Sequence, residues 1–159
     1  MRSARPEDID FLQKALYEAA FWRPGGRRPA LAEALAKPEL ALYVEGFGRQ
    51  GDFGLIAEVD HDPVGAAWWR HMRAGEGGYG FVDEATPEVS IAVLEGHRGG
   101  GLGAALLEGL MREGHGQGVA QLGLSVERDN PSIALYERAG FRSVESEGEA
   151  VTMVVDLAA

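Results

Sequence analysis

The sequence predicts one mixed α/β domain that spans residues 1–159. Its length of 159 residues suits a single domain, and no linker divides the chain into two halves. Helical and strand-like segments follow one another along the chain, which is typical of a sheet packed against helices. Hydrophobic residues make up 45%, as in ordinary globular proteins. The absence of cysteine excludes disulfides, Cys-bound metals and a cysteine nucleophile.

The N-terminal part is predicted to hold helices followed by a β-hairpin. Apolar residues recur at helical spacing over residues 6–21, and a shorter helical pair interrupted by a proline spans about 29–46. Residues 52–59 and 64–72 have the composition of strands. The intervening Asp-His-Asp-Pro segment, residues 60–63, has the chemistry of a hairpin turn.

A strand, a glycine-rich turn and a helix follow in direct succession. Residues 73–86 are Gly-rich and polar, and they predict a long loop, which in a compact domain is usually functional or disordered. The strand at 87–94 comes next. A helix is predicted at about 101–114, with leucines on one face and with Gly114 and Gly116 as its stop signal.

A short helix among strands completes the predicted fold. Either Asn130 or Asp129 is expected to be its N-cap, with Pro131 at the first helical position and Gly140 at its end. The strands predicted in this part of the chain are residues 119–126, 141–145 and 150–157.

Net charge and hydropathy argue against two classes of partner. A formal charge of -10 does not build the basic surface that nucleic-acid backbones require, so nucleic acid is not an expected partner. The sequence also lacks the ~20-residue apolar stretch that spans a bilayer, and its N-terminus has no apolar signal region. We therefore expect no membrane association and a cytoplasmic location. The histidines show no metal-ligand spacing, so no metal site is predicted.

The glycine-rich turn between the strand at 87–94 and the next helix has the properties of a phosphate site. Glycines at 96–103 allow close approach of the backbone, and the helix that follows begins with unsatisfied N–H groups at the positive end of its dipole. Arg98 adds several donors at the mouth of this turn. The physics of the segment therefore predicts a ligand that carries phosphate.

Three phosphate ligands compete for this turn. A nucleotide P-loop needs Lys-Ser/Thr after the glycines, and Leu102-Gly103 stands there instead. A dinucleotide fingerprint is formally present at Gly99, Gly101 and Ala104, but too few residues follow for a two-half dinucleotide fold. The third ligand, the pyrophosphate of coenzyme A, is favoured by a second motif.

That second motif consists of Asn130, the helical Leu135-Tyr136-Glu137 and the terminating Gly140-Phe141. Together with Arg98-Gly99-Gly100-Gly101-Leu102-Gly103, it resembles the GCN5-related N-acetyltransferase (GNAT) family over residues 86–142. The resemblance implies a GNAT-like mixed central sheet flanked by helices. It also implies an acetyl-CoA-dependent N-acetyltransferase, in which an amine attacks the thioester directly within a ternary complex.

The resemblance implies roles for individual residues. Tyr136 is the expected general acid for the departing thiolate, and Glu88, near the start of the strand at 87–94, is the expected general base; a solvated strand-edge glutamate is the alternative for Glu88. Backbone groups of the same strand are expected to bind the pantetheine. The cofactor-binding residues implied are Ile91, Ala92, Val93, Arg98, Gly99, Gly100, Gly101, Leu102, Gly103, Ala104, Asn130 and Tyr136.

The expected acceptor is a primary amine on a small molecule. A protein N-terminus or lysine is the alternative acceptor, and an acyl-CoA-binding sensor without activity is the alternative from another class. Relatives in the resembling family are often dimers, so a homodimer is a further expectation.

Overall fold

One sheet forms the centre of the molecule. The computed structural model describes residues 1–72, 79 and 81–157. In this part of the chain seven strands lie in the order β1-β2-β3-β4-β5-β7-β6. The strands are β1 (Arg2–Ser3), β2 (Phe53–Val59), β3 (Asp62–Arg70), β4 (Glu88–Val93), β5 (Gln121–Glu127), β6 (Arg142–Glu147) and β7 (Ala150–Asp156). The helices are α1 (Ile9–Ala20), α2 (Leu31–Leu35), α3 (Pro38–Ala41), α4 (Leu102–Gly116) and α5 (Ile133–Arg138).

The sheet is mixed in direction. Neighbouring strands pair antiparallel except for β4 and β5, which run parallel and are connected through α4. Glu88 of β4 is paired with Gly123 of β5. Helices cover the sheet on both sides, so the prediction of a mixed central sheet flanked by helices is confirmed.

Two hydrophobic cores lie on opposite faces of the sheet. Leu106 and Leu110 of α4 pack on one face, whereas Leu12 of α1 packs on the other. Trp68 and Trp69, adjacent on β3, point into different cores because successive strand residues alternate between faces. Both tryptophans are fully buried, so the sheet between the two cores is shielded from water on either side.

The β2–β3 turn is shorter than the sequence predicted. Asp60 and His61 both adopt positive φ, 52° and 69°, and β3 already begins at Asp62. A two-residue turn with positive φ at both positions matches the twist of a hairpin. Asp62 and Pro63 therefore belong to the strand rather than to the predicted four-residue turn.

The predicted stop of α4 is wrong in its position. Gly114 lies inside the helix and is buried; a Cβ built on it would stand 2.6 Å from Leu157 Cδ1. Its role is the close packing of α4 against the end of the sheet. The helix continues to Gly116, and Gly118, with φ +79°, supplies the left-handed residue that follows it.

The start of α5 also differs from the prediction. The helix begins at Ile133 with Ser132 as its N-cap, so neither Asn130 nor Asp129 is the cap and Pro131 precedes the helix. Asn130 instead forms a turn in which its Oδ1 accepts the Ser132 N–H at 2.9 Å. The reason is that a side-chain turn competes locally with an earlier helix start.

The glycine cluster at 75–80 falls outside the described residues, apart from Tyr79. In the described ranges, no helix has the length and apolar character needed to cross a bilayer.

Candidate active site

The two parallel strands at the centre of the sheet, β4 and β5, are paired near Glu88 and Gly123 and diverge after that point. Near the pair Glu88↔Gly123, the Gly123 N–H donates to Pro87 O at 3.0 Å. Beyond this point, residues of both strands line one cavity of about 750 Å³. The end of α1, the turn after α3 and α5 complete its walls. A wedge-shaped opening in the sheet thus forms the candidate site.

The backbone of β4 presents alternate residues to this opening. The Leu94 N–H donates to Val64 O at 2.8 Å on the β3 side, and hydrogen-bonded pairs alternate along an antiparallel ladder. The same alternation directs Ala92 backbone groups toward β3, and those of Ile91 and Val93 toward β5. The N–H and C=O groups of Ile91 and the N–H of Val93 therefore face the opening, whereas the Val93 carbonyl accepts the Arg98 side chain and Ala92 contributes its side chain.

Some of the site residues predicted from the sequence line this cavity, and others do not. Those that line it are Glu88, Ile91, Ala92, Val93, Arg98, Asn130 and Tyr136. Residues 99–104 do not line the cavity; they lie next to it in the turn after β4 and in the first turn of α4. The predicted site residues therefore fall into two groups: those that line the cavity, and those of the neighbouring glycine-rich turn.

The glycine-rich turn leaves room for a ligand. Gly101 is the N-cap of α4 with φ +86°, a backbone conformation that glycine adopts without strain. Within the described ranges, a Cβ built on any residue of 99–101 would have no heavy atom within 4 Å apart from those of its neighbours in the chain. The N–H groups of 102–104 start the helix and have no acceptor within it. This turn can accept an anion such as pyrophosphate.

Arg98 connects the turn to the cavity. Its Nε donates to Val93 O at 2.7 Å, and its Nη2 lies 3.8 Å from Glu18 Oε2 at the end of α1. The side chain is about half exposed (50%), so its guanidinium remains accessible at the cavity mouth. Arg98 thus lies where the open edge of β4 and the glycine-rich turn meet.

Tyr136 lies on α5 and reaches the cavity from the β5 side. It is 7% exposed, and its ring packs on Phe141 with centroids 5.9 Å apart. Burial raises the pKa of the Tyr136 phenol above its usual value. A phenol is protonated at neutral pH even at its usual pKa, so the group is available as a hydrogen-bond or proton donor.

Glu88 is buried rather than a solvated strand-edge residue, with 3% of its surface exposed. Its Oε2 accepts a hydrogen bond from the hydroxyl of Tyr43, in the turn after α3. Tyr43 also lines the cavity, and the sequence analysis missed it. No motif marks this tyrosine, because its contact with Glu88 joins positions that lie 45 residues apart.

A buried ion pair fixes the turn that carries Tyr43. Arg70 and Asp52, both 1% exposed, pair at 2.8 Å. The Arg70 Nη1 also donates to Leu42 O at 3.0 Å and to Glu45 O at 2.6 Å, on either side of Tyr43. Arg70 is the cross-strand neighbour of Glu88. One buried guanidinium therefore joins the turn to β3, the strand beside the one that holds the candidate base.

An ionic bridge lies at the outer side of the cavity. Arg23, after α1, donates to Asp129 Oδ2 at 2.7 Å and to Glu127 Oε2 at 2.9 Å. Its guanidinium carbon also lies 4.7 Å from the centre of the Trp22 ring, which lines the cavity. Arg23 lowers the pKa of Asp129. The bridge ties the end of α1 to the end of β5.

The family of the chain follows from comparison with known proteins. The sequence profile described as "Acetyltransferase (GNAT) family" matches residues 14–141. The chain therefore belongs to the GNAT acetyltransferase family. A search of curated proteins finds no match.

Solved structures of acetyltransferases share the fold of this chain. A phosphinothricin acetyltransferase from Sinorhizobium meliloti in complex with acetyl-CoA has a TM-score of 0.71 and 21% identity, covering 99% of this chain and 87% of that one. PaiA N-acetyltransferase from Thermoplasma acidophilum with coenzyme A has a TM-score of 0.70 and 17% identity, covering 98% and 99%. A ribosomal-protein-alanine N-acetyltransferase from Brucella melitensis has a TM-score of 0.69 and 24% identity, covering 98% of this chain and 98% of that one. At these identities the likeness concerns the fold.

Proposed function

We propose that this protein transfers the acetyl group of acetyl-CoA to a primary amine of a small molecule. The observation that carries the proposal is the convergence of Glu88 and Tyr136 on one cavity beside the open edge of β4. Acetyl-CoA supplies the thioester that the amine attacks. The protein supplies binding, proton transfer and the alignment of two substrates, which accounts for much of the acceleration in such reactions.

The coenzyme is held by backbone groups over most of its length. Ile91 binds the pantetheine through its N–H and C=O groups and Val93 through its N–H, since the Val93 carbonyl already accepts Arg98 Nε. The first-turn N–H groups of α4, together with the turn at 99–101 and Arg98, bind the pyrophosphate. Asn130 flanks the cavity on the β5 side, although its Oδ1 already serves the turn before α5.

Proton transfer is divided between the two walls of the cavity. Glu88 accepts the proton that the acceptor ammonium must lose before nitrogen can attack. Tyr136 donates its phenolic proton to the sulfur as the carbon–sulfur bond breaks, which avoids release of a bare thiolate. A phenol is protonated at neutral pH even at its usual pKa, so Tyr136 has a proton to donate.

The charge around the cavity favours a cationic acceptor. Its lining contains the carboxylates Glu18, Glu39, Glu88 and Glu127, against the cations Lys37 and Arg98. Tyr79 and Trp22 add aromatic surface, which attracts ammonium groups. The Arg23 bridge spans the outer side, an arrangement that suits a small amine better than a protein chain.

A thiol-release assay tests the proposal directly. Purified protein is mixed with acetyl-CoA and a panel of primary amines, and free CoA is measured over time. We expect turnover with at least one small amine. Tight CoA binding without turnover of any amine would contradict the proposal and indicate an acyl-CoA sensor, whereas turnover of peptides alone would indicate a protein acceptor.

Substitutions in the glycine-rich turn are expected to weaken acetyl-CoA binding. Arg98→Ala removes charge-assisted hydrogen bonds, which should raise the Kd by about tenfold or more. Gly101→Val should do the same, because a β-branched residue at positive φ distorts the first turn of α4. Isothermal titration with CoA measures both effects.

Gly118→Val is the matched control, since Gly118 has a similar φ of +79° but lies beyond the opposite end of α4. It carries the same backbone strain away from the ligand. Unchanged CoA affinity in Arg98→Ala and Gly101→Val would exclude the turn as the pyrophosphate site.

Tyr136→Phe is expected to lower kcat by about 10²-fold, with a smaller change in the KM for acetyl-CoA. The ring and its packing on Phe141 are retained, so the loss isolates the hydroxyl. Steady-state kinetics with the best amine of the panel measures it. Tyr17→Phe, which removes a hydroxyl bonded to Pro29 O outside the cavity lining, is the control. An equal kcat in both variants would show that the Tyr136 hydroxyl has no catalytic role and that the residue serves packing alone.

A further inference from the structure

Tyr43 shares the buried carboxylate of Glu88 and faces the same cavity. Its hydroxyl donates to Glu88 Oε2 and accepts the backbone N–H of Tyr79 at 2.7 Å. The residue is 6% exposed, and it lines the cavity together with Glu88 and Tyr136. The Tyr43 hydroxyl and the Glu88 carboxylate therefore form one hydrogen-bonded pair in the wall of the cavity.

We propose that Tyr43 is a further catalytic residue, which passes the proton of the attacking ammonium to Glu88. This inference rests on the proposed function. The ammonium N–H bond breaks and its proton bonds to Tyr43 Oη, while the phenolic O–H bond breaks and that proton bonds to Glu88 Oε2. The products are a neutral amine, a neutral Glu88 carboxyl group and an unchanged tyrosine.

The surroundings of Tyr43 explain why it relays a proton instead of acting as the base. Burial and the neighbouring Glu88 carboxylate both raise the pKa of the Tyr43 phenol far above its usual value. A phenolate is therefore not available at neutral pH. The hydroxyl can release its proton to Glu88 only while it receives another, which is the property of a relay.

The backbone around Tyr43 is held in place for this role. Trp68 Nε1 donates to Tyr43 O at 2.9 Å, and Arg70 Nη1 binds the carbonyls of Leu42 and Glu45. The Tyr79 ring lies parallel to the Tyr43 ring, with centroids 6.2 Å apart. Fixing the backbone, ring and hydroxyl lowers the cost of orienting the donor during the reaction.

The relay predicts a defect that depends on the basicity of the acceptor. Tyr43→Phe should lower the rate of CoA release with ethylamine, which is protonated at neutral pH, by about 10²-fold. With trifluoroethylamine, a much weaker base that is mainly neutral, the same variant should stay within about threefold of the wild-type rate. A merely structural role for the hydroxyl would lower both rates equally, and that result would overturn the relay.

A double-mutant cycle with Glu88→Gln provides the second test. Residues of one relay act as a unit, so Tyr43→Phe combined with Glu88→Gln should lose little more than Glu88→Gln alone. Independent, multiplying losses would overturn the proposal. Titration with CoA and thermal unfolding of each variant, with Tyr17→Phe as control, detect any failure to fold. Wild-type protein that releases no CoA with any amine contradicts the proposed function itself.

Discussion

Glu88→Gln is expected to lower kcat for acetyl transfer by about 10³-fold. Glutamine keeps the size of the side chain and can still accept the Tyr43 hydrogen bond, but it cannot take up the ammonium proton. The buried position of Glu88 in β4 leaves bulk water poorly placed to replace it. Steady-state thiol release with a protonated amine measures the loss, and CoA affinity is expected to stay near the wild-type value.

The control for this variant is Glu108→Gln, the same change of charge at an exposed position of α4. Its kcat should equal that of the wild type. If Glu88→Gln retained activity within about threefold of the wild-type enzyme, Glu88 would not be the base. The relay through Tyr43 would then lose its terminal acceptor, so this measurement also bears on the further inference.

Asp52→Ala is expected to lower the free energy of unfolding by about 3–5 kcal/mol. The substitution leaves the guanidinium of Arg70 buried without its carboxylate partner. Asp52 Oδ2 also accepts the N–H groups of Gly48 and Arg49, which would lose their acceptor. Whole domains are stable by about 5–15 kcal/mol, so a loss of this size removes a large part of the free energy that keeps the protein folded. Denaturant unfolding followed by circular dichroism measures it.

Asp156→Ala provides the comparison at the protein surface. It removes the partner of Arg142 from an ion pair whose two side chains are mainly exposed. Water solvates both groups in either state, so the midpoint of unfolding should barely move. Similar midpoints of unfolding for the two variants would show that burial does not determine how much the Arg70–Asp52 pair contributes to stability.

The parts of the site that the sequence predicted are encoded over short distances. The strand, the glycine-rich turn and the start of α4 are consecutive, and the requirement for positive φ at Gly101 is a property of that residue alone. The segment from Asn130 to Phe141 is equally local. For the same reason, the order of helices and strands could be predicted from residue patterns, whereas the mixed central sheet was implied by the family resemblance.

The parts that sequence missed depend on contacts between distant segments. Tyr43 meets Glu88 because Arg70 joins the turn after α3 to the sheet, and nothing local marks these three residues as neighbours. Gly114 has the composition of a stop signal, yet packing against Leu157 decides its role. Helix ends were also misplaced where a side-chain turn, as at Asn130, competes with the backbone.

The divergence of β4 from β5 bears on how the stability of the fold depends on a bound ligand. Beyond Glu88, the two halves of the sheet are separated by a gap in which an extended ligand can supply the hydrogen bonds of an absent strand. A ligand that binds only the native state, at a hundred times its Kd, raises stability by about 2.7 kcal/mol. Binding of acetyl-CoA in this gap, as proposed above, would therefore make the free energy of unfolding rise with the concentration of the co-substrate.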